Sequence, residues 1–600
     1  MASNSARQLY SPVPLARNTA SVGSKEKSPS RTQTTSSHVS SMSSTTPKSK
    51  GQPQVHIDSR GRTYVTSSSG QRMPASWNPK LLVDQPEADD YIHNPTKRTL
   101  PRGPSFNTRG IANLGCLLIL GLCLLGLFIG YPVTQYYTSP HQTAAGNLGL
   151  GGINSSGQVP QIAGNWGLID LETPHDALSF PSYMDGSDWQ LVFSDEFNTD
   201  GRTFYPGDDP YWEAVNLQYW ETGNLNWYDP SAITTRNGAL EITLSKQPSH
   251  GLDYQGGMLA TWNKFCFTGG IVQASVSLPG MNNVSGLWPS VWTLGNLGRV
   301  GYGASLEGMW PYSYDTCDVG AVPGQIIDGK PAAAKEQGPY KNASISGLPG
   351  QRLSRCTCPG EEHPGPKHAD GSFVGRSAPE IDLFEGQVDG TTGSVSQSGQ
   401  WAPFDNAYQF FNDSNGVIID DSSITAQNTY TGGPLQQATS YVTATNQICY
   451  QQNEGCFSTY AIEYKPGYEA DNAYITWVSD GKKAWTLNAA GVGADPTTNI
   501  SARPISQEPM YVVANLGMSS SFSFLDLDNL VFPAVMRIDW IRIYQPPDAI
   551  NIGCDPSTHP TMDYIQNNYA AYNNPNLTTW QSSISGYNKT FPKNSLVDSC

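Results

Sequence analysis

The sequence predicts an all-β domain, preceded by one transmembrane helix and a disordered N-terminal arm. Beyond residue 185, short runs of aromatic and β-branched residues alternate with polar residues and lie beside turn signals such as Asn237-Gly238 and Asp480-Gly481. Long helical periodicity is scarce in the same region. Residues 111–131 form a stretch without any charged residue. Together these features indicate an antiparallel β-sandwich or barrel that is tethered to a membrane.

The first 110 residues are predicted to be a disordered cytosolic arm. They hold 15 Lys and Arg against 6 Asp and Glu, whereas the whole chain has a net charge of −16. They are rich in Ser, Thr and Pro, so they cannot bury enough apolar surface to fold. The remainder of the chain is therefore strongly acidic, and we expect no nucleic acid or anionic polymer as its partner.

Residues 111–131 are predicted to be a signal-anchor helix, because their length matches what a bilayer requires. Four basic residues precede the segment, and the first basic residue after it is Arg202. The positive-inside rule then predicts a single-pass type II protein whose C-terminal part is lumenal or extracellular. The endoplasmic reticulum, the Golgi and the plasma membrane all expose the same face, so the compartment stays open.

The part beyond the helix divides by composition into three regions. Residues 132–185 are rich in Gly, Ser, Thr and Pro and are predicted to be a stalk. Residues 186–545 carry the strand-like runs, and residues 546–600 form a cysteine-containing extension. A Gly- and Pro-rich insertion at 300–378, which holds three cysteines, is predicted to be ordered and to border the functional site. The clearest strand-like runs are 189–193, 238–244, 270–276 and 474–478.

Eight cysteines lie outside the membrane segment, an even number that predicts disulfides in an oxidising compartment. Of the many pairings that eight cysteines allow, Cys449–Cys456 and Cys554–Cys600 are predicted as local ones. A zinc site at Cys356-Thr357-Cys358 is the alternative, which the C-x-C spacing and the lack of a second matching pair disfavour.

Glycosylation sequons lie on one side of the membrane segment only, as expected for a lumenal glycoprotein. The predicted acceptors are Asn154, Asn283, Asn342, Asn412, Asn499, Asn576 and Asn588.

Three carboxylates fall within six residues, in Glu380-Ile381-Asp382-Leu383-Phe384-Glu385. In a strand, Glu380 and Asp382 share one face, and one extra residue in a β-bulge would bring Glu385 onto it as well. Glycoside hydrolysis requires such an arrangement, with one carboxylate that attacks the sugar and one carboxyl that protonates the leaving oxygen. The alternative is an edge strand with solvated acids, which the interleaved apolar residues disfavour.

The domain resembles glycoside hydrolase family 16, and more narrowly the fungal β-1,6-glucan synthesis-associated membrane proteins. The resemblance implies a jelly-roll β-sandwich of two curved antiparallel sheets and a retaining mechanism. It also implies that Glu380 is the nucleophile, Glu385 the general acid/base and Asp382 the residue between them. The segments that carry the wider resemblance, in family order, are 193–197, 286–292, 380–385, 460–464 followed by 477 and 480–481, and 536–544. Segments 224–230 and 257–320 carry the narrower one.

Sugar binding requires flat apolar faces, so Trp288, Trp292, Trp262 and Trp227 are predicted to bind substrate, with core packing as the alternative for each. No cofactor is expected. Some members of the resembled family hold a structural Ca²⁺, for which Asp539 and Glu196 are candidates here, and a solvated surface pair is the alternative.

We therefore expect a β-glucan hydrolase or transglycosylase that acts in cell-wall β-1,6-glucan biosynthesis, with β-glucan and the cell-wall synthesis machinery as partners. The alternative is a non-catalytic glucan-binding assembly factor or chaperone for that machinery. The sequence leaves the β-1,3 or β-1,6 linkage and the oligomeric state open.

Overall fold

The computed structural model describes residues 55–57, 59–60, 63–66, 72–74, 108–130, 167–336, 344–470 and 472–600. The rest of the predicted arm, the predicted stalk up to residue 166, and the sequons at Asn154 and Asn342 lie outside the described residues.

Three short strands lie in the region that was predicted to be disordered. Strands β1 (Val55–Ile57), β2 (Thr63–Thr66) and β3 (Arg72–Pro74) form an antiparallel sheet in that order. The prediction is wrong for this stretch, because the runs around Val55 and Tyr64 contain β-branched and aromatic residues, which favour strands.

The uncharged segment is helical, as predicted. Helix α1 (Thr108–Leu125) continues into a π-helical turn at Gly126–Gly130. Within the described part of the chain, the 20 residues Ile111–Gly130 are the one span long and apolar enough to cross a membrane, with a mean hydropathy of 2.5 and no buried residue. The helix is therefore compatible with a single-pass membrane protein.

The remaining strands, numbered in chain order, build one β-sandwich. They are β4 (Ser179–Pro181), β5 (Asp188–Asp195), β6 (Glu213–Ala214), β7 (Leu217–Gln218), β8 (Asn226–Tyr228), β9 (Ile233–Thr235), β10 (Leu240–Leu244), β11 (Tyr254–Ala260), β12 (Gly270–Ser277), β13 (Trp288–Gly295), β14 (Glu380–Asp389), β15 (Thr392–Trp401), β16 (Val417–Ile419), β17 (Thr425–Gln427), β18 (Gly432–Gly433), β19 (Gln436–Ala444), β20 (Ser458–Lys465), β21 (Tyr474–Ser479), β22 (Lys482–Asn488), β23 (Met510–Gly517) and β24 (Ala534–Gln545).

Short helices occur mainly between strands and after β24. The α-helical ones are α2 (Gly303–Leu306), α3 (Ala333–Glu336), α4 (Met562–Asn567) and α5 (Tyr569–Asn573). Single 3₁₀ turns lie at His175–Leu178, Trp220–Thr222, Pro230–Ala232, Val319–Ala321, Pro323–Gln325 and Ala489–Val492.

The sandwich consists of a ten-stranded and an eleven-stranded sheet. The first has the order β16-β22-β21-β20-β12-β24-β10-β9, with β5 paired to β24 and β4 to β5. The second has the order β17-β19-β15-β14-β13-β23-β11-β8-β7, with β18 and β6 at its margins. The predicted all-β fold of two sheets is confirmed, although β8 and β11 run parallel to each other.

The core lies between the two sheets. Phe384 of β14 contacts Tyr460 of β20 across it, at a ring-centroid distance of 4.6 Å. The buried amide of Gln397 on β15 also reaches across, where it donates to the backbone carbonyl of Val478 at 3.0 Å. Residues of the eleven-stranded sheet that alternate with these therefore point away from the core.

The sandwich begins earlier than predicted. Strand β4 pairs with β5, and the buried carboxylate of Glu463 on β20 accepts hydrogen bonds from the Ser182 hydroxyl at 2.8 Å and the Tyr183 backbone N–H at 2.6 Å. The last part of the predicted stalk, up to residue 185, is thus bound to the ten-stranded sheet. The interaction is non-local, so the Gly- and Ser-rich composition did not indicate it.

All eight cysteines of the sandwich form disulfides, and the predicted Cys449–Cys456 pair is confirmed. The predicted Cys554–Cys600 pair is wrong, because Cys554 pairs with Cys266 and Cys600 pairs with Cys358. The reason is the path of the C-terminal tail, which runs back along the insertion. Residues 593 and 595 form backbone hydrogen bonds with residues 358 and 356 there. The fourth disulfide, Cys317–Cys356, lies within the insertion.

Candidate active site

The predicted β-bulge is present in β14. Against β13, Trp292 pairs with Asp382 and Val291 with Phe384, so that Leu383 is left without a partner. Against β15, the register likewise shifts between Asp382 and Glu385. An extra residue of this kind reverses the alternation of side chains beyond it.

The bulge places Glu380, Asp382 and Glu385 on one face of the eleven-stranded sheet, which we call the acid-bearing face. Leu383 and Phe384 are fully buried in the core instead. Asp382 is buried, whereas the two glutamates are half-buried. The local sequence therefore brings three carboxyl groups together where solvent can still reach two of them.

Each of the three carboxyl groups accepts hydrogen bonds from a different set of donors. Trp288 on β13 donates its indole N–H to Glu385 Oε1 at 2.9 Å. Asp382 Oδ2 accepts from the Ser398 hydroxyl at 2.8 Å and from the Gln400 amide at 3.0 Å, both on β15. Trp310 in the insertion donates its indole N–H to Glu380 Oε2 at 2.6 Å.

Burial raises the pKa of all three acids, and repulsion by neighbouring carboxylates adds to this for the two glutamates. Burial raises the pKa of Glu385 to about 8, with the charge of Asp382 adding to the effect. Burial also raises the pKa of Asp382 to about 6, although its hydrogen bonds to Gln400 and Ser398 oppose this. The pKa of Glu380 lies well above its usual range. Burial is the largest cause, and the charges of Asp382 and Glu385 add to it.

A hydrogen bond between the carboxyl groups of Glu380 and Asp382 raises the pKa of the first and lowers that of the second. Asp382, with its two neutral donors, therefore keeps negative charge more readily than Glu380 does. The raised pKa of Glu385 favours its protonated form at neutral pH.

Trp288 and Trp292 both lie on the acid-bearing face. Trp292 pairs with Asp382 and donates its N–H to the Asn515 side chain at 2.7 Å. It is 7% exposed, so most of its ring is packed. Trp288 is half-buried, and its ring stacks on Phe522 at 4.2 Å with an interplanar angle of 1°.

Trp227 lies on the other face of its sheet, which contradicts its predicted role. Its neighbour Tyr228 contacts Asn515 on the acid-bearing face, and adjacent residues of a strand point to opposite sides. Trp227 instead stacks on His250 at 4.1 Å.

Trp262 packs against charged and aromatic neighbours, in line with the core-packing alternative. The guanidinium of Arg299 lies 4.3 Å from its ring centroid, and Tyr572 of the C-terminal extension stacks on it at 5.8 Å. Its N–H donates to the backbone carbonyl of Asn296.

Sequence reasoning missed Trp310, Ser398, Gln400 and Asn515 as residues of the site. Ser398 and Gln400 belong to a run of polar residues that alternate along β15, next to the acid strand, and this pattern was a usable signal. Trp310 and Asn515 carried no local signal, because they reach the site from segments distant in sequence.

The candidate calcium ligands are arranged differently from expectation. Glu196 is buried and forms a bidentate ion pair with Arg542, with distances of 2.9 and 2.7 Å. Its oxygens are therefore paired with a cation of the chain itself, and its burial contradicts the solvated-pair alternative for this residue. Burial and the charge of Glu196 raise the pKa of Asp539. Across the described ranges, no group of three or more His, Cys, Asp or Glu side chains is placed to hold a metal ion.

The five sequon asparagines within the described ranges are all exposed. Their side chains are therefore accessible to the modification that the sequence predicts: Asn283, Asn412, Asn499, Asn576 and Asn588.

Comparison with known proteins gives a family match over most of the chain. The model of the beta-glucan synthesis-associated protein family SKN1/KRE6/Sbg1 matches residues 79–600. The beta-glucan synthesis-associated protein KRE6 of Saccharomyces cerevisiae is 43% identical over 543 residues, which cover 88% of this chain and 70% of that protein. The protein SKN1 of Candida albicans is 41% identical, over 87% of this chain and 68% of that protein.

Two solved structures are also similar. The laminarinase catalytic domain of Thermotoga maritima aligns with 60% of this chain and 99% of its own, at 18% identity and a TM-score of 0.35. The endo-beta-1,3-glucanase of Pyrococcus furiosus aligns with 61% and 98%, at 16% identity and a TM-score of 0.36.

Proposed function

Because the chain belongs to the family of beta-glucan synthesis-associated proteins SKN1/KRE6/Sbg1, we propose that it is a retaining hydrolase or transglycosylase of β-glucan. It acts in fungal cell-wall β-1,6-glucan biosynthesis. The observation that carries this proposal is the bulged strand β14, which places three carboxyl groups on one face. A surface that only binds glucan has no use for three acids whose charges repel each other.

In the proposed mechanism, Glu380 attacks the anomeric carbon while Glu385 gives its proton to the leaving glycosidic oxygen. The raised pKa of Glu385 keeps that proton available at neutral pH. Asp382 takes up the proton of Glu380, so that Glu380 attacks as a carboxylate. In the second step Glu385 accepts a proton from water or a sugar hydroxyl, whose oxygen displaces Glu380 from the anomeric carbon.

We further propose that α1 anchors the protein in a secretory-pathway membrane with the sandwich on the lumenal or extracellular side. The exposed sequon asparagines and the four disulfides support that side, because both modifications occur there. Its partners are β-glucan and other proteins of the cell-wall synthesis machinery.

The test is incubation of the full chain, purified in detergent, with defined β-1,3- and β-1,6-gluco-oligosaccharides. Products are followed by mass spectrometry, with Glu380→Gln and Glu385→Gln as controls. Longer products that both variants lose indicate transfer, shorter ones indicate hydrolysis, and the accepted substrate identifies the linkage.

The alternative, a glucan-binding assembly factor, draws on a different observation. Trp310 of the insertion donates its indole N–H to Glu380, so that one oxygen of this acid already has a partner within the chain. Under this alternative the wild type shows no turnover, and its oligosaccharide binding is the same as that of Glu380→Gln.

A further inference from the structure

Trp310 lies outside the eleven-stranded sheet and contacts one of the three acids on its acid-bearing face. Its indole N–H donates to Glu380 Oε2 at 2.6 Å. The two residues are 70 positions apart, and Trp310 belongs to the insertion between β13 and β14. The insertion thus supplies a group to the acid that we propose as the nucleophile.

The backbone around Trp310 is joined to the start of β14. Its own N–H donates to the Leu306 carbonyl at 2.9 Å, at the end of α2. The carbonyl of Met309 accepts from the N–H of Ala378 at 3.0 Å, two residues before Glu380. The position of the indole is therefore coupled to the position of the carboxyl group that it contacts.

A buried arginine holds the backbone just before Trp310 in place. Arg352, 1% exposed, donates to the carbonyls of Ala304, Ser305 and Glu307 at 2.6 to 3.0 Å. These carbonyls lie at the end of α2, where a helix lacks partners of its own. The guanidinium also lies over the ring of Trp580, 3.7 Å from its centroid.

We propose that Trp310 is a positioning residue, which holds one oxygen of Glu380 so that the other oxygen faces the anomeric carbon of a bound glucan. This inference rests on the proposed function. It assigns the insertion a part in the reaction, namely the orientation of the nucleophile, rather than only coverage of the site.

The charge state of Glu380 gives the inference a measurable signature. Asp382 and Glu385 on the same strand, together with burial, favour the neutral form of Glu380. Tyr219 and Tyr511 also face Glu380, and both stay neutral because burial raises their pKa values. The N–H of Trp310 opposes these effects, since a donor favours the carboxylate. Its loss therefore raises the pKa of Glu380 further.

The experiment compares the wild type with Trp310→Phe, which removes the N–H but keeps an aromatic ring. Both are assayed as full chains in detergent, on the oligosaccharide that the wild type turns over, between pH 4 and 9. We expect kcat to fall by roughly ten- to a hundredfold, as for loss of a hydrogen bond to a charged group. KM changes little, and the acidic limb of kcat/KM moves to higher pH. The matched control is Trp189→Phe, which loses an indole hydrogen bond to Ser187 on the other sheet.

A covalent probe gives a readout that does not require turnover. An epoxyalkyl β-glucoside reacts when a carboxylate oxygen forms a bond to an epoxide carbon, whose C–O bond breaks while its oxygen takes up a proton. Peptide mapping by mass spectrometry reports the rate at Glu380, which we expect to be slower in Trp310→Phe, with a higher pH midpoint. If that variant does not fold, benzothienylalanine at position 310 keeps the shape of tryptophan without the N–H.

The outcomes separate the two claims. A wild type that neither turns over oligosaccharide nor reacts with the probe overturns the proposed function and this inference with it. An active wild type whose pH profile and kcat are matched by Trp310→Phe overturns the inference alone. A change in Trp310→Phe that is confined to KM also overturns the inference, because it indicates that Trp310 contacts the substrate rather than orienting Glu380.

Discussion

Replacing Glu385 with glutamine is expected to stabilise the sandwich at neutral and alkaline pH while it removes turnover. In the folded protein, burial and then the charge of Asp382 raise the pKa of Glu385 from its ordinary value of 4.5 to about 8. Between these two values the unfolded chain releases a proton that the folded chain keeps. Glu385 thus favours folding most below pH 4.5, and this contribution is lost as the pH rises to about 8.

The size of the effect follows from a change of about 1.4 kcal/mol in unfolding free energy for each pH unit between the two pKa values. At pH 7 Glu385→Gln gains at most about 3 kcal/mol over the wild type, and above pH 8 at most about 5 kcal/mol. These are upper values, because solvent reaches the half-buried carboxyl group and screens it. Glutamine keeps an oxygen that accepts the Trp288 N–H, so this hydrogen bond is retained.

The assay is urea unfolding of the full chain in detergent at pH 4, 7 and 9, followed by tryptophan fluorescence. Glu454→Gln, at an exposed position, serves as the control and is expected to change the unfolding free energy by less than about 0.5 kcal/mol at every pH. Equal unfolding free energies for Glu385→Gln and the wild type at pH 9, or a gain that does not depend on pH, would contradict a raised pKa of Glu385 in the folded protein.

Three further predictions concern stability and modification. Glu508→Gln is expected to cost about 3–5 kcal/mol of unfolding free energy, because it leaves the guanidinium of Arg376, 0% exposed, without its carboxylate. Replacement of both Cys266 and Cys554 with serine is expected to lower stability by about 2–5 kcal/mol, because their disulfide joins residues 288 positions apart. Endoglycosidase treatment of the protein from its secretory pathway is expected to lower its mass, and Asn→Gln variants at all seven predicted acceptors to abolish that shift.

The two stability predictions each have a matched control variant. Asp370 is exposed and pairs with Arg355 in contact with solvent, so this pair is expected to contribute little to stability and Asp370→Asn is the control for Glu508→Gln. A loss at Glu508 no larger than at Asp370 contradicts the first prediction. Cys449 and Cys456 are separated by 7 residues, and their removal is expected to cost less than that of the long-range disulfide. An unchanged mass after endoglycosidase treatment counts against the lumenal orientation.

The acid-bearing face was predictable because its geometry is local. Alternation along a strand and one bulge decide where Glu380, Asp382 and Glu385 point, and both are encoded within six consecutive residues. The same alternation puts Trp288 and Trp292, four residues apart on β13, on one face. It puts Trp227 on the face opposite to its neighbour Tyr228, which lies on the acid-bearing face.

The β class, the apolar helix and the carboxylate constellation follow from the amino-acid sequence alone, because each depends on the spacing of residues within one short segment. The partner of Cys600, the donor that reaches Glu380 and the start of the sandwich depend on how distant segments pack together. The contacts behind these features join Trp310 to Glu380, Cys600 to Cys358 and Ser182 to Glu463, which are 70, 242 and 281 positions apart. Their partners are chosen by the path of the insertion and the tail across the sheets, where many alternative pairings have equal local merit and packing selects one of them.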